Sequence, residues 1–211
     1  YYGQIPAQSP PPPIITVEPP QQGRKEVVVR KEAQTPSFMV VYHGPACTNP
    51  DFFALSILQK PLVEGESSRL YRRLVRQEQL ALSVSGGIEE KIDPFLFMID
   101  VKPRPGVDLN RIEKIIDEEL AKIIQEGLTE TEFEKARNIG LSSFYFGLQT
   151  NSGKANMLGA MEMLYGSYER LFTYIDSYLA VKREDIPSVA RKYFNDLNKT
   201  AGYLLPEGGQ R

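Results

Sequence analysis

Residue types that catalyse or ligate are scarce in this chain: among 211 residues there is one histidine, His43, and one cysteine, Cys47. Together they supply at most two ligands to a metal ion, whereas structural zinc usually takes four cysteine or histidine ligands, so carboxylates would have to complete the set. His43 stands between a strand and Gly44-Pro45, the setting of a solvent-facing or backbone-bonded imidazole. A single cysteine excludes an internal disulfide and any multi-cysteine metal cluster. In Glu89-Glu90 and Asp117-Glu118-Glu119, consecutive carboxylates on a helix point in different directions, so neither run makes an acid–base pair on its own and a solvated face is expected. No Gly-x-Ser-x-Gly elbow, phosphate loop or dinucleotide fingerprint occurs. These residues predict no catalytic group and no metal ligand in this chain.

The elements that would position a site follow from periodicity and punctuation. Residues 1–24, with Ser9-Pro10-Pro11-Pro12-Pro13 and Glu18-Pro19-Pro20, favour polyproline II and read as a connector. Strands are expected over Lys25 to Lys31 and Ser37 to Tyr42. A short helix over Asp51 to Gln59 follows, entered through Asn49 as cap and Pro50 in the first turn. Ser67 or Ser68 caps a helix with Leu70, Leu74 and Val75 on its buried side, and after Gln79 the period falls to two, giving a strand over Ala81 to Gly86. Phe95 to Val101 alternates as a further strand, antiparallel to the one before it, with Phe95, Phe97, Ile99 and Val101 toward the helices. Helical periodicity then runs from Asp108 to Gly127, and Thr129-Glu130-Thr131-Glu132 opens the next helix as a capping box, with a stripe of Phe133, Ala136, Gly140, Phe144 and Leu148. Helices over Ser152 to Leu164, Tyr168 to Leu179 and Glu184 to Phe194 and a strand over Thr200 to Leu205 complete an α+β order.

The central stretch carries a likeness. Gly65, Ser67, Ser68, Arg69, Leu70, Tyr71, Leu74, Leu80, Ala81, Ser83 and Val84 match the G-x-S-S-R-L-(aromatic)-x-x-L-R-x-x-x-G-L-A-Y-S-V pattern. That pattern belongs to the C-terminal, non-zinc-binding domain of M16 zinc peptidases, the pitrilysin, insulinase and mitochondrial-processing-peptidase type, which the chain resembles over nearly its whole length. The resemblance implies a two-layer mixed sheet with helices packed on one face, the LuxS- and processing-peptidase-like metallohydrolase fold. It implies a proline-rich inter-domain linker over 1–24 and an inactive peptidase-like domain over 25–211. In active members, the pattern's arginine and tyrosine help hold the substrate backbone and the tetrahedral intermediate; here those positions fall on Val75 and Leu82. Neither side chain has a donor to offer an oxyanion. Arg76 lies one position on, turned by about 100° on an α-helix, and is a poor substitute.

A zinc centre of this class needs two histidines, a glutamate base and a further glutamate ligand, which one histidine cannot supply. The resemblance thus implies a non-catalytic half, with no cofactor of its own and zinc in the partner half. That partner would be a homologous zinc-bearing domain, in the same polypeptide or in a second subunit, and the two halves would form a chamber for unfolded peptides. The alternative is a scaffold or assembly subunit without associated proteolysis. A net charge of -2 with mixed signs gives no footprint for nucleic acid, and no apolar run reaches the length of a membrane span. Opening on Tyr1-Tyr2-Gly3 without methionine, the chain reads as a piece cut from a longer polypeptide; the resemblance implies a bacterial source and leaves periplasm and cytoplasm both open.

Overall fold

The computed structural model describes residues 3–6, 8–9, 11–12, 15–33 and 35–207. The run Ser9 to Pro13 therefore lies partly outside the described residues, as does the very start of the expected connector. Among the described residues there are five strands and seven α-helices. The strands are β1 (Lys25–Lys31), β2 (Ser37–His43), β3 (Ala81–Ile88), β4 (Leu96–Pro103) and β5 (Lys199–Pro206). They form one sheet in the order β1-β5-β2-β4-β3, with β1 parallel to β5 and every other pair antiparallel.

Alternation along the strands sends one set of side chains under the helices. Phe38, Val40 and Tyr42 of β2, Phe97, Ile99 and Val101 of β4, and Ala201 and Tyr203 of β5 are buried there. The intervening residues lie on the opposite face: Met39 is 37% exposed, and Val41, Met98 and Leu204 are partly so. On β1, Val27 and Val29 pair with Gly202 and Leu204, which places them on that open face, where they are exposed. The expected two layers, with helices on one side of a mixed sheet, are what the chain forms.

Helix α1 (Asp51–Val63) runs past the expected end at Gln59 and through Pro61. An interior proline forfeits a helical hydrogen bond, but burial of Leu62 and Val63, 0% and 1% exposed, offsets that loss and carries the helix on to Glu64. Asn49 accepts the Asp51 amide at 3.0 Å, the expected cap. The central helix departs further from expectation. Helix α2 covers only Arg69–Tyr71, and Arg72–Gln77 then widens into a π-helix closed by Glu78 N–H on the Arg73 carbonyl at 2.9 Å. Leu70 and Leu74 remain fully buried. Gln79 reverses the chain at φ 53°, the left-handed region, at the position that is glycine in the matched pattern.

In β3 the simple period of two fails. Ala81 pairs with Pro103 and Ser83 with Lys102, so Leu82 is the extra residue of a bulge, and the buried positions become Ala81, Val84 and Ile88.

Helix α3 (Leu109–Glu126) starts on Asp108, whose side chain accepts the Asn110 amide, and stops at Gly127 with φ 75°. Helix α4 (Glu130–Gly147) begins with the complete capping box of Thr129 and Glu132. The same Glu132 accepts two hydrogen bonds from Arg69, at 2.7 and 2.6 Å, while Arg69 also reaches the Gly127 carbonyl at 3.4 Å. One guanidinium thereby joins the central segment to the α3–α4 corner. Further along, Tyr178 donates to the Ala136 carbonyl at 3.2 Å, and a Cβ at Gly140 would stand 2.1 Å from that hydroxyl oxygen. Helices α5 (Asn151–Tyr165), α6 (Leu171–Leu179) and α7 (Asp185–Tyr193) complete the layer.

Two outcomes follow. Replacing Gln79 with glycine relieves the left-handed backbone but adds unfolded-state freedom, for a net gain of about 0.5 kcal/mol in urea unfolding, whereas Gln79→Val loses about 1–2 kcal/mol. Glu132 is partly buried, which disfavours its charge, but its bonds to Arg69 and Thr129 prevail and hold its pKa down at about 2 against an ordinary 4.5. A depressed carboxylate contributes stability that is present above the ordinary value and is lost as pH falls through about 2. Glu132→Gln keeps the capping box while removing the charge, so its stability falls less than that of the wild type between pH 4.5 and 2.

Candidate functional site

Val75 sits inside the π-helical turn, half-buried against the core, and Leu82 projects from the β3 bulge at 44% exposure. Both are hydrocarbon, so this stretch presents no hydrogen-bond donor at either position. Arg76 is engaged elsewhere: its guanidinium forms an ion pair with Glu66 and lies 5.8 Å from the centre of the Tyr71 ring.

His43 and Cys47 have different partners. His43 ends β2, with Nε2 3.7 Å from Glu18 and its carbonyl accepting from Asn198 at 2.8 Å. Cys47 is buried, its Sγ 3.8 Å from the Leu164 carbonyl. Burial pushes the thiol up, away from the reactive thiolate, against a smaller opposing effect of Tyr165. Among the described residues, no three or more His, Cys, Asp or Glu side chains are grouped so as to hold a metal ion. In Glu89-Glu90 the first pairs with Lys91 at 2.9 Å, and the second accepts from Tyr165 at 3.2 Å and from Tyr174.

Of Asp117-Glu118-Glu119 only Glu119 departs from the expected solvated face, since the side chains of Asp117 and Glu118 are 48% and 39% exposed. Glu118 pairs with Arg73, Glu119 accepts from Arg73 at 2.9 Å and from Lys122 at 2.8 Å, and Glu119 is only 6% exposed. Asp117 and Glu113, one turn apart, close on Lys199 at the start of β5. The Lys199 ammonium, its side chain 2% exposed, lies 2.6 and 2.8 Å from the Asp117 oxygens and 2.8 Å from Glu113. Glu113 also accepts from Tyr203 at 2.7 Å and from Arg24 at 3.0 and 3.1 Å. Burial alone would raise Glu113, but its bonds to Lys199, Tyr203 and Arg24 outweigh that and hold it below the usual carboxylate range. For Asp117 burial prevails over the Lys199 contact and the pKa rises. Burial and the Glu113 carboxylate push Tyr203 up.

This cluster reaches back into the connector. Gln21 donates to the Lys199 carbonyl at 2.8 Å and accepts from Thr200 at 3.2 Å, so the last residues before β1 are pinned to the domain. Reasoning from sequence missed the cluster because a lysine at a strand end reads as solvent-facing. The available signal was the spacing of Glu113 and Asp117, which places both on one face of α3. The arrangement is structural: every acid in it is committed to a cation, a tyrosine hydroxyl or both.

Comparison with known proteins follows from this geometry. The family described as peptidase M16 inactive domain matches residues 1–139. The zinc protease PqqE of Helicobacter pylori is 28% identical over 185 residues, which is 87% of this chain and 41% of that protein. An uncharacterised zinc protease of Streptomyces coelicolor is 28% identical over 169 residues, 80% of this chain and 36% of that one. The chain thus spans less than half the length of these curated relatives. The crystal structure of a protease from Helicobacter pylori superposes with a TM-score of 0.86 at 28% identity, covering 96% of this chain and 49% of that one.

Breaking the buried cluster from one side is costly. Lys199→Met leaves the nearly buried Glu113 carboxylate without its ammonium, beside a half-exposed Asp117, and lowers unfolding free energy by about 3 kcal/mol in urea titration. Adding Glu113→Gln and Asp117→Asn to that variant recovers more than half of the loss, because coupled residues do not add independently.

Proposed function

The chain belongs to the M16 peptidase family, as its inactive domain, and from that premise we propose that it is the non-catalytic half of a zinc metalloendopeptidase, packed against a zinc-bearing half to wall a chamber for unfolded peptides. The zinc-bearing half is a homologous domain of the same polypeptide or of a partner subunit. Zinc and the cleavage chemistry belong to that half. This half supplies wall, interface and peptide contacts.

The observation that carries the reading is the hydrocarbon character of Val75 and Leu82, where active members are expected to offer an arginine and a tyrosine. A developing oxyanion gains only from donors aimed at it, and these side chains have none. The commitment of Glu113, Glu118 and Glu119 to structural ion pairs agrees with chemistry residing elsewhere. The open sheet face, with Met39, Val27 and Val29 exposed, provides apolar surface beside the polar side chains of His43 and Asp100. Such a wall suits unfolded peptides, whose apolar side chains are the part most in need of cover.

Two measurements test the proposal. After chelator stripping, zinc reloading and desalting, the isolated chain retains well under about 0.2 zinc per molecule, while the assembled parent retains about one per zinc-bearing half. In the assembled enzyme, Val75→Ala lowers stability by about 1 kcal/mol yet leaves peptide turnover within about twofold. Selective loss of turnover with normal folding, or stoichiometric zinc on the isolated chain, overturns the reading. An assembled parent that folds and cleaves no peptide points instead to a scaffold.

A further inference from the structure

Between the end of α1, the start of α2 and the first turns of α4 lies a cleft of about 630 Å³, a volume within the usual range of small-molecule sites. Its charges do not cancel. Lys60 on the α1 side is neutralised by Glu64 at 3.0 Å. Glu132 lines the opposite wall, but Arg69 holds both of its oxygens at 2.7 and 2.6 Å, and the Thr129 amide and hydroxyl donate to one of them at 2.9 and 3.0 Å. Two cations are left over. Lys135 donates only to the neutral Ser67 hydroxyl, at 2.8 Å, and Arg72 has no carboxylate partner among the described residues. Pro61, Ala136 and Ile139 contribute hydrocarbon to the same cleft.

We propose that this cleft binds a carboxylate joined to a short apolar group, the chemistry of a peptide's free C-terminus. A planar guanidinium can take a carboxylate through two parallel hydrogen bonds, and a neighbouring ammonium adds a third donor of the same sign. Hydroxyls of Ser67 and Thr131 stand on the rim as further donors, and the hydrocarbon surface takes the terminal side chain. The inference rests on the proposed function only for the source of the ligand, since each cut by a peptidase creates one new C-terminus. The binding itself needs neither zinc nor the partner half.

The test is calorimetric titration of the 211-residue chain with N-acetyl-Ala-Leu as free acid and as amide, with inorganic phosphate as a third probe. The free acid is expected to saturate with a Kd of about 1 mM or tighter and the amide and phosphate to bind at least about tenfold more weakly. Arg72→Gln combined with Lys135→Gln weakens the free acid at least about tenfold at unchanged melting temperature. Thr131→Asp serves as a second variant: its carboxylate repels the ligand while suiting the first turn of α4, so loss of binding there is not loss of fold. No saturation by about 20 mM, equal binding of the amide or of phosphate, or variants that bind like the wild type overturns the proposal. Because the titration uses this chain alone, its failure is distinct from absence of peptidase activity in the assembled parent.

Discussion

A lysine ammonium withdrawn from water at the start of the last strand is the constraint on which much of this domain depends. Lys199 cannot remain charged there without anions, and the two it has come from successive turns of α3. That requirement fixes α3 across the helix-facing side of the sheet at the point where β5 enters between β1 and β2. Glu113 then recruits Arg24 and Tyr203, so the same charge balance also decides how the connector meets β1. A hydrophobic replacement of similar volume could give comparable stability, since buried ion pairs gain little over good packing. What the pairs add is directionality: hydrocarbon at these positions would tolerate a slip of α3 along the sheet, and a shared ammonium does not.

Arg69 performs a related task at the other end of α3. Its bonds to Glu132 and to the Gly127 carbonyl gather the central segment, the end of α3 and the start of α4 at one guanidinium. The arginine that helps make the central stretch recognisable in sequence is, in this chain, the centre of a joint. Ser67 accepts from Lys135 of α4, and Arg69 grips the cap of that helix. Such a joint holds the fold together by itself and needs neither substrate nor chemistry.

Most of the fold was legible because its signals are local. The capping box at Thr129, the glycine stop at Gly127 and the alternation of β4 each depend on a few adjacent residues, and each formed where expected. Three departures arose where distant contacts override local preference. Helix α1 continues through Pro61 because Leu62 and Val63 have a core to enter. The central helix opens into a π turn while Leu70 and Leu74 stay buried and Arg73 stays paired to α3. The bulge at Leu82 is a property of β3 and β4 together, and the alternation of β3 alone gives no sign of it. Of the candidate site, sequence could name Val75 and Leu82, since identity alone says that they lack donors. Apart from Lys122 on α3 itself, the partners of the α3 carboxylates were out of reach, because they lie on β5, on the connector and in the π turn after α2.

The parallel pairing of β1 with β5 bears on how the chain reaches this state. Lys25 to Lys31 lies against Thr200 to Pro206, so the sheet joins segments at opposite ends of the domain. On a ribosome, β1 emerges long before its neighbour exists, and a strand with three consecutive valines must wait unpaired while the intervening residues are made. Its flanks of Lys25, Glu26, Arg30 and Lys31 are the kind of charge that keeps a waiting edge from recruiting a strand of another chain. The domain closes only when its last strand arrives, so a polypeptide cut short before β5 would lose its first strand as well as its last.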